Sequence, residues 1–215
     1  MPQADGAARR TSYDPEYPPE IWRPLVERLI SADYPRIAVP VAMQWLTMES
    51  DGAPCAFGRA SELGPDGFPR EIGLGQLYNP DDFKLLKLTE RGITPTTLRS
   101  YCVPGTQRRS RALTDEEMEQ QVRHAVLDLI QRCMGEADRT VARFGLQWSP
   151  RDYWTLVKSF HAMPVISDNG MPAVAKKIGR APRSWSEFRE ALGMNANPTW
   201  AFALDNAEKL GAVMA

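Results

Sequence analysis

Residues 41–50 read VAMQWLTMES, and they form the most informative segment of the chain. Apolar side chains fill almost every position before Glu49, so the segment predicts a helix without an exposed face, buried in the core. Pro40 suits the first position of such a helix. The next thirty residues, 51–80, contain ten Gly or Pro residues, which predicts a long structured loop or a short β-ribbon. A loop of this length in a compact domain usually has a function.

Glu49 is the candidate catalytic residue. It ends an apolar helix, where the helix dipole is negative and apolar neighbours remove water, and both effects favour the protonated acid. A general acid must hold its proton in this way before giving it to a leaving oxygen. Glutamates at helix ends are more often solvated surface residues, and the apolar run before Glu49 is what favours the catalytic interpretation.

Composition limits the partners. The chain has 215 residues, which suits one domain with at most a modest subdomain, and its net charge is −1. This charge gives no electrostatic reason to expect nucleic acid or a membrane as a partner. The short basic cluster at residues 108–111 reads as a solvated loop, and no apolar run reaches the roughly 20 residues that span a bilayer.

The three cysteines predict neither a metal site nor a disulfide framework, because their number is odd and their spacing fits no ligand set. Buried free thiols are favoured, and a Cys55–Cys102 bridge between two loops is the alternative. The N-terminus shows no secretion signal, so we expect synthesis in the cytoplasm.

Helix signals recur along the rest of the chain and predict a mainly α fold, with the loop or β-ribbon beside the second helix. Residues 1–18 are polar with several Pro and Gly residues and predict an arm that is flexible or draped over the domain. Capping boxes at 114–117 and 184–187 predict helix starts. Further helices are expected to start near Pro19, Pro40, Pro80, Pro95, Pro150 and Pro198.

Three separated segments resemble the lysozyme-like lytic transglycosylases and goose-type lysozymes, in the same order. They are Glu49-Ser50, Gly73-Leu74-Gly75-Gln76-Leu77 and Lys158-Ser159-Phe160-His161-Ala162-Met163-Pro164. The family carries a Glu-Ser pair, a Gly-Leu-Met-Gln segment and an Ala-Tyr-Asn-Ala-Gly-Pro segment. The resemblance covers roughly residues 19–175, which would form an α+β lysozyme-like domain around a catalytic cleft, with 176–215 as a helical extension packed on it.

The resemblance implies a site in which Glu49 is catalytic and other residues contact the glycan. Glycines 73 and 75 would let backbone approach a sugar closely, and the Gln76 amide would bind N-acetyl groups. Ser50 would bond the Glu49 carboxyl or cap the helix, and Trp45 and Trp154 would stack on sugar or fill the core. The substrate contacts implied are Ser50, Gln76, Leu77, Tyr78, Phe160 and His161, with Glu62 or Glu71 as the nearest loop acids.

The activity implied is cleavage of peptidoglycan at the β-1,4 bond between N-acetylmuramic acid and N-acetylglucosamine, without metal or cofactor. Phe160 and His161 depart from the family's Tyr and Asn. Asp51, Asp81 and Asp82 are candidates to position water if the enzyme hydrolyses.

Peptidoglycan strands would be the partner, and the protein would reach them as a virion component or through a lysis pore. The alternatives are an inactive structural or glycan-binding component of a phage tail, and an unrelated helical interaction protein.

Overall fold

Helix α2, Val39–Ser50, lies in the centre of the hydrophobic core, as its apolar sequence predicts. Val41, Trp45 and Leu46 are fully buried. Pro40 occupies the first turn. The helix ends because Asp51 adopts a left-handed conformation, φ 52°. Glu49 is therefore in the last turn of a helix that cannot shift without disturbing the core.

The computed structural model describes residues 14–57, 68–162, 170–193 and 198–214, and within these ranges the chain is mainly helical. This confirms the predicted mainly α class. The helices are α1 (Arg23–Asp33), α2, α3 (Asp81–Leu85), α4 (Pro95–Leu98), α5 (Asp115–Gln120), α6 (Leu129–Phe144), α7 (Pro150–Ala162), α8 (Met171–Ile178), α9 (Trp185–Leu192) and α10 (Pro198–Ala212), with 3-10 turns at Pro19–Trp22 and Thr89–Arg91.

One continuous helical run covers α5, a π-helical segment (Gln121–Asp128) and α6. It starts at the predicted capping box: Thr114 Oγ1 accepts from the Glu117 amide at 3.2 Å, and the Glu117 carboxylate accepts from the Thr114 amide at 2.9 Å. The π-helical segment was not expected from sequence. Such segments are rare and occur often at functional sites.

The predicted β-ribbon is present and packs against this π-helical segment. Strands β1 (Glu71–Ile72) and β2 (Leu77–Tyr78) pair antiparallel, with Ile72 opposite Leu77. A Cβ added to Gly75 would lie 1.6 Å from the Ala125 carbonyl oxygen, and one added to Gly73 would lie 2.7 Å from Gln121 Oε1. The close approach that these glycines permit is thus to a helix of the same protein, whereas the sequence suggested an approach to sugar.

Gln121 binds the ribbon to the helical run. Its Oε1 accepts from the Leu74 amide at 3.1 Å, and its Nε2 donates to the Tyr101 hydroxyl at 2.7 Å and to the Leu98 carbonyl at 3.0 Å. The Gln121 side chain is fully buried. These bonds fix the ribbon's turn, residues 73–76, in position relative to the core.

Cys55 and Cys102 form a disulfide, with their Cα atoms 5.8 Å apart. The expectation of free thiols was wrong for this pair, because the fold brings together two loops that are 47 residues apart in sequence. Cys133 is a free, fully buried thiol whose pKa is raised by burial to about 11.

The ends of the described chain pack on the domain. Arg109 pairs with Asp14 and Glu16 and lies over the Tyr17 ring at 4.4 Å, so residues 14–18 of the expected flexible arm are anchored; residues 1–13 lie outside the described ranges. Helix α8 crosses the predicted boundary between 175 and 176, and α10 packs against α7 so closely that a Cβ on Gly211 would meet Thr155 Oγ1 at 2.1 Å.

Replacing Gly75 with alanine tests the contact between the ribbon and the π-helical segment. We expect Gly75→Ala to lower the free energy of unfolding by about 3 kcal/mol or more, because the added methyl overlaps backbone atoms that cannot rotate away. Urea denaturation measures this change.

Gly135→Ala in α6 is the matched control. Its added Cβ would meet nothing closer than Arg139 Nη1 at 3.8 Å, so better helix propensity should raise stability by up to about 1 kcal/mol. Equal effects of the two substitutions would contradict the close packing at Gly75.

Candidate active site

A buried ion pair joins the end of α2 to the middle of α7. The Lys158 ammonium donates to Glu49 Oε1, across 109 positions of sequence. The exposed fraction is 7% for the Glu49 side chain and 1% for that of Lys158. Solvent therefore does little to screen the two charges, and each stabilises the other. An ammonium in contact stabilises the ionised carboxylate, which opposes the protonated acid expected from the helix end.

Lys158 has a partner for each of its ammonium hydrogens. Besides Glu49, its Nζ lies 3.0 Å from His161 Nδ1 and 3.9 Å from the centre of the Trp45 ring. The contact with the ring face is a cation–π interaction. His161 also lies beside Trp45, with ring centroids 5.2 Å apart. These contacts hold Nζ in one place beside the carboxylate.

His161 connects Lys158 to the turn of the β-ribbon. Its Nε2 lies 3.3 Å from the backbone carbonyl of Gln76, which has a left-handed conformation with φ 57°. Burial lowers the His161 pKa to about 3, and the charge of Lys158 acts in the same direction. The imidazole is therefore neutral at ordinary pH. The carbonyl requires a hydrogen on Nε2, so Nδ1 is the acceptor that faces the lysine.

A second charged pair lies near the first. Arg132 Nη2 is 3.4 Å from Asp82 Oδ1, and Asp82 Oδ2 accepts from the Tyr78 amide at 2.8 Å. Burial raises the pKa of Asp82, against the opposing effects of Arg132 and of the Tyr78 amide. The positive charge of Arg132 reaches His161, whose pKa it lowers further. The site thus combines two carboxylates with two cations.

The predicted substrate contacts lie in different environments. Ser50, Leu77 and Phe160 are buried, and the Ser50 hydroxyl donates to the Leu46 carbonyl at 3.0 Å. Tyr78 is 37% exposed, and its hydroxyl accepts from Arg70 at 3.1 Å. The Gln76 side chain donates to the Gly73 carbonyl at 2.8 Å, so this residue faces the site through its backbone. Of the seven predicted site residues, Glu49, His161 and Gln76 come together.

The other candidates are placed as follows. Trp45 and Trp154 are buried in the core, and Trp45 Nε1 has no hydrogen-bond partner in the described part of the chain. Asp82 is buried beside Arg132, and Asp81 is exposed at the start of α3. Glu62 and the last two residues of the third segment, 163 and 164, lie outside the described residues.

Lys158 is the site residue that sequence reasoning missed. Trp154, Lys158 and His161 are spaced i, i+4 and i+7, which places them on one face of α7, between neighbours that are buried. A lysine on an apolar face is almost never fully buried unless it is paired. This pattern could have indicated that α7 supplies a cation for a buried acid, but it does not identify Glu49 as that acid.

Comparisons with models of protein families, with curated proteins and with solved structures found nothing that matches this chain. Among the described residues, no group of three His, Cys, Asp or Glu side chains is placed to hold a metal ion. In the same ranges no helix combines the length and apolar character needed to cross a membrane.

A double-mutant cycle on Glu49 and Lys158 tests the buried ion pair. Each single substitution, Glu49→Gln or Lys158→Met, should lower the free energy of unfolding by about 3–5 kcal/mol, because it removes the opposite charge in contact with a charge that stays buried. The double variant should lose less than the sum, giving a coupling energy of about 1–3 kcal/mol. Chemical denaturation of the four proteins measures it.

The exposed pair Arg23–Glu20 is the control cycle, with Glu20→Gln and Arg23→Met. Solvent screens this pair, so its two substitutions should be additive. If the Glu49 and Lys158 substitutions were additive as well, the two groups would not be coupled in solution.

Proposed function

We propose that this protein cleaves the glycan strands of peptidoglycan, as a lytic transglycosylase with Glu49 as the catalytic residue. One observation carries the proposal. The three segments that resemble the transglycosylase motifs are far apart in sequence, yet Glu49, the Gln76 carbonyl and His161 belong to one chain of contacts through Lys158. Chance matches in an unrelated helical protein would have no reason to meet.

In the proposed reaction one residue acts first as acid and then as base. Glu49 protonates the oxygen of the β-1,4 bond between N-acetylmuramic acid and N-acetylglucosamine. The neighbouring acetamido oxygen of the substrate stabilises the positive centre at C1. The Glu49 carboxylate then accepts the proton of the muramoyl C6 hydroxyl, whose oxygen closes a 1,6-anhydro ring. Attack by water in place of this hydroxyl would make the same site a lysozyme.

The burial of Glu49 sets a requirement for this reaction. A carboxyl that is 7% exposed cannot reach a glycosidic oxygen unless the groups that cover it move aside when the glycan binds. The site would then be closed and dry around the reacting bond, as many active sites are.

The disulfide supports a place of action outside the reducing cytoplasm. Structural disulfides persist in the periplasm, on cell surfaces and in virions. Cys55 and Cys102 tie the loop that follows Glu49 to the loop after α4. We propose that the protein acts on the cell wall, as a component of a phage or injection particle.

A second candidate function is favoured by the ion pair itself. Lys158 neutralises Glu49, and Phe160 is buried and has no hydroxyl. A protein that has kept the fold but lost the reaction would tolerate both features. It would serve as a structural or glycan-binding part of a particle. The same experiment distinguishes the two functions.

We expect Glu49→Gln to lower the rate of glycan release from purified, dye-labelled sacculi by about 10²–10⁴-fold, because the amide has no transferable proton. Circular dichroism at the assay temperature establishes that the variant is folded. Glu90→Gln, at an exposed position in the 3-10 turn Thr89–Arg91, is the control and should keep the parental rate. If the parent and Glu49→Gln released glycan at equal rates, or if neither released any, the enzymatic function would be rejected. The structural or glycan-binding function would then remain.

A further inference from the structure

We propose that Lys158 and Glu49 share one proton, and that Lys158 supplies the proton which Glu49 delivers to the glycosidic oxygen. This inference rests on the proposed function. It gives Lys158 the part of a positioning residue that acts through Glu49. It also explains how a carboxyl in contact with an ammonium could serve as an acid.

The contacts around Lys158 suit both positions of the proton. With the proton on lysine, its three N–H groups point to Glu49 Oε1, His161 Nδ1 and the Trp45 ring. With the proton on Glu49, the amine keeps two N–H groups for the histidine and the ring, and its lone pair accepts from the carboxylic acid. The proton moves along one existing contact, and the Lys158 nitrogen keeps its partners in both positions of the proton.

The neutral His161 makes this exchange possible. Its Nε2–H is directed to the Gln76 carbonyl, which leaves Nδ1 as an acceptor only. Because His161 Nδ1 can only accept, it orients one N–H group of Lys158 and has no proton of its own to give to Glu49. A protonated imidazole would instead repel the ammonium and compete for the carboxylate.

Water exclusion shifts the proton toward Glu49. In a polar site the ammonium and carboxylate are favoured, whereas loss of water disfavours both charged forms. Here the pair is already nearly buried, and a bound glycan would remove what solvent remains. The neutral amine and neutral acid then become competitive at the moment when the acid is needed.

The other titratable groups near the pair do not supply this proton. Arg132 on α6 pairs with Asp82 from α3, so the opposite charges of these two residues compensate each other. The Cys133 thiol, which Lys158 also influences, keeps its proton because burial raises its pKa to about 11. Lys158 is in direct contact with Glu49 Oε1 and can exchange a proton with it.

Lys158 and Glu49 regain their starting protonation states by the end of one turnover. Lys158 Nζ gives a proton to Glu49 Oε1, and Glu49 gives one to the leaving O4. The bond between C1 and O4 breaks with its electron pair on O4. The C6 hydroxyl oxygen bonds to C1, and its proton returns through Glu49 to Lys158. No further reactant is required.

The pH dependence of sacculus cleavage tests the shared proton through Lys158→Met. With Lys158 beside it, Glu49 has a neighbouring N–H donor that can restore its proton after the carboxyl has lost it. In Lys158→Met, Glu49 must hold the proton alone. We expect this variant to lose activity on the alkaline side at a pH lower than the parent's by at least about one pH unit. On the acid side its rate should be close to the parent's.

Lys158→Arg separates proton supply from charge. Arginine keeps the positive charge but does not release a proton in proteins. We expect its rate to be low across the whole pH range in which the parent is active, as for Glu49→Gln. Lys176→Met, at an exposed position on α8, should leave the profile unchanged. Thermal melting establishes that each variant is folded at the assay temperature.

Two results would overturn the shared proton while leaving the proposed function intact. In the first, Lys158→Met keeps the parental alkaline limb or moves it upward, which would make Lys158 an inhibitory counter-ion. In the second, Lys158→Arg is as active as the parent. If the parent itself cleaves no sacculi, the proposed function falls, and the donor role of Lys158 falls with it.

Discussion

The Glu49–Lys158 ion pair is the constraint on which the site depends. The two charges are nearly excluded from solvent, so separating them would remove from each the opposite charge that it contacts. The pair therefore fixes the end of α2 against the middle of α7. The lysine favours the carboxylate form of Glu49, so the proposed role of Glu49 as an acid requires that this balance change when a glycan binds.

The β-ribbon and the π-helical segment hold the pair's surroundings in place. Gly75 brings the ribbon's turn against the Ala125 carbonyl, and Gln121 binds the Leu74 amide. The turn in turn directs the Gln76 carbonyl toward His161, and that contact sets which imidazole nitrogen faces Lys158. The close packing at Gly75 is thus linked to Glu49 through three further residues, Gln76, His161 and Lys158. The glycine-rich segment thus reaches the candidate site through its backbone.

Local signals in the sequence predicted helices and the β-ribbon. They did not predict which distant segments are in contact. The buried α2 and the capping box at Thr114 follow from residues close in sequence, and both are present. At Ser184 only half of the predicted box forms, because the Glu187 carboxylate accepts from the Arg183 amide and pairs with Arg180. The Cys55–Cys102 bridge and the partner of Lys158 depend on how distant segments meet, which no spacing encodes. Glu49, His161 and the Gln76 carbonyl lie on one chain of contacts, and the lysine between them was not expected from the sequence.

Product analysis tests the central claim most directly, because it reports which bond breaks and how. Purified sacculi are incubated with the parent protein or with Glu49→Gln, and the soluble fragments are analysed by mass spectrometry. We expect fragments that end in 1,6-anhydromuramic acid, one water lighter than hydrolysed ends, from the parent but not from the variant. Fragments with hydrolysed ends would make the protein a lysozyme acting through the same residue. No new glycan ends from the parent, or the same ends from both proteins, would contradict a catalytic role for Glu49.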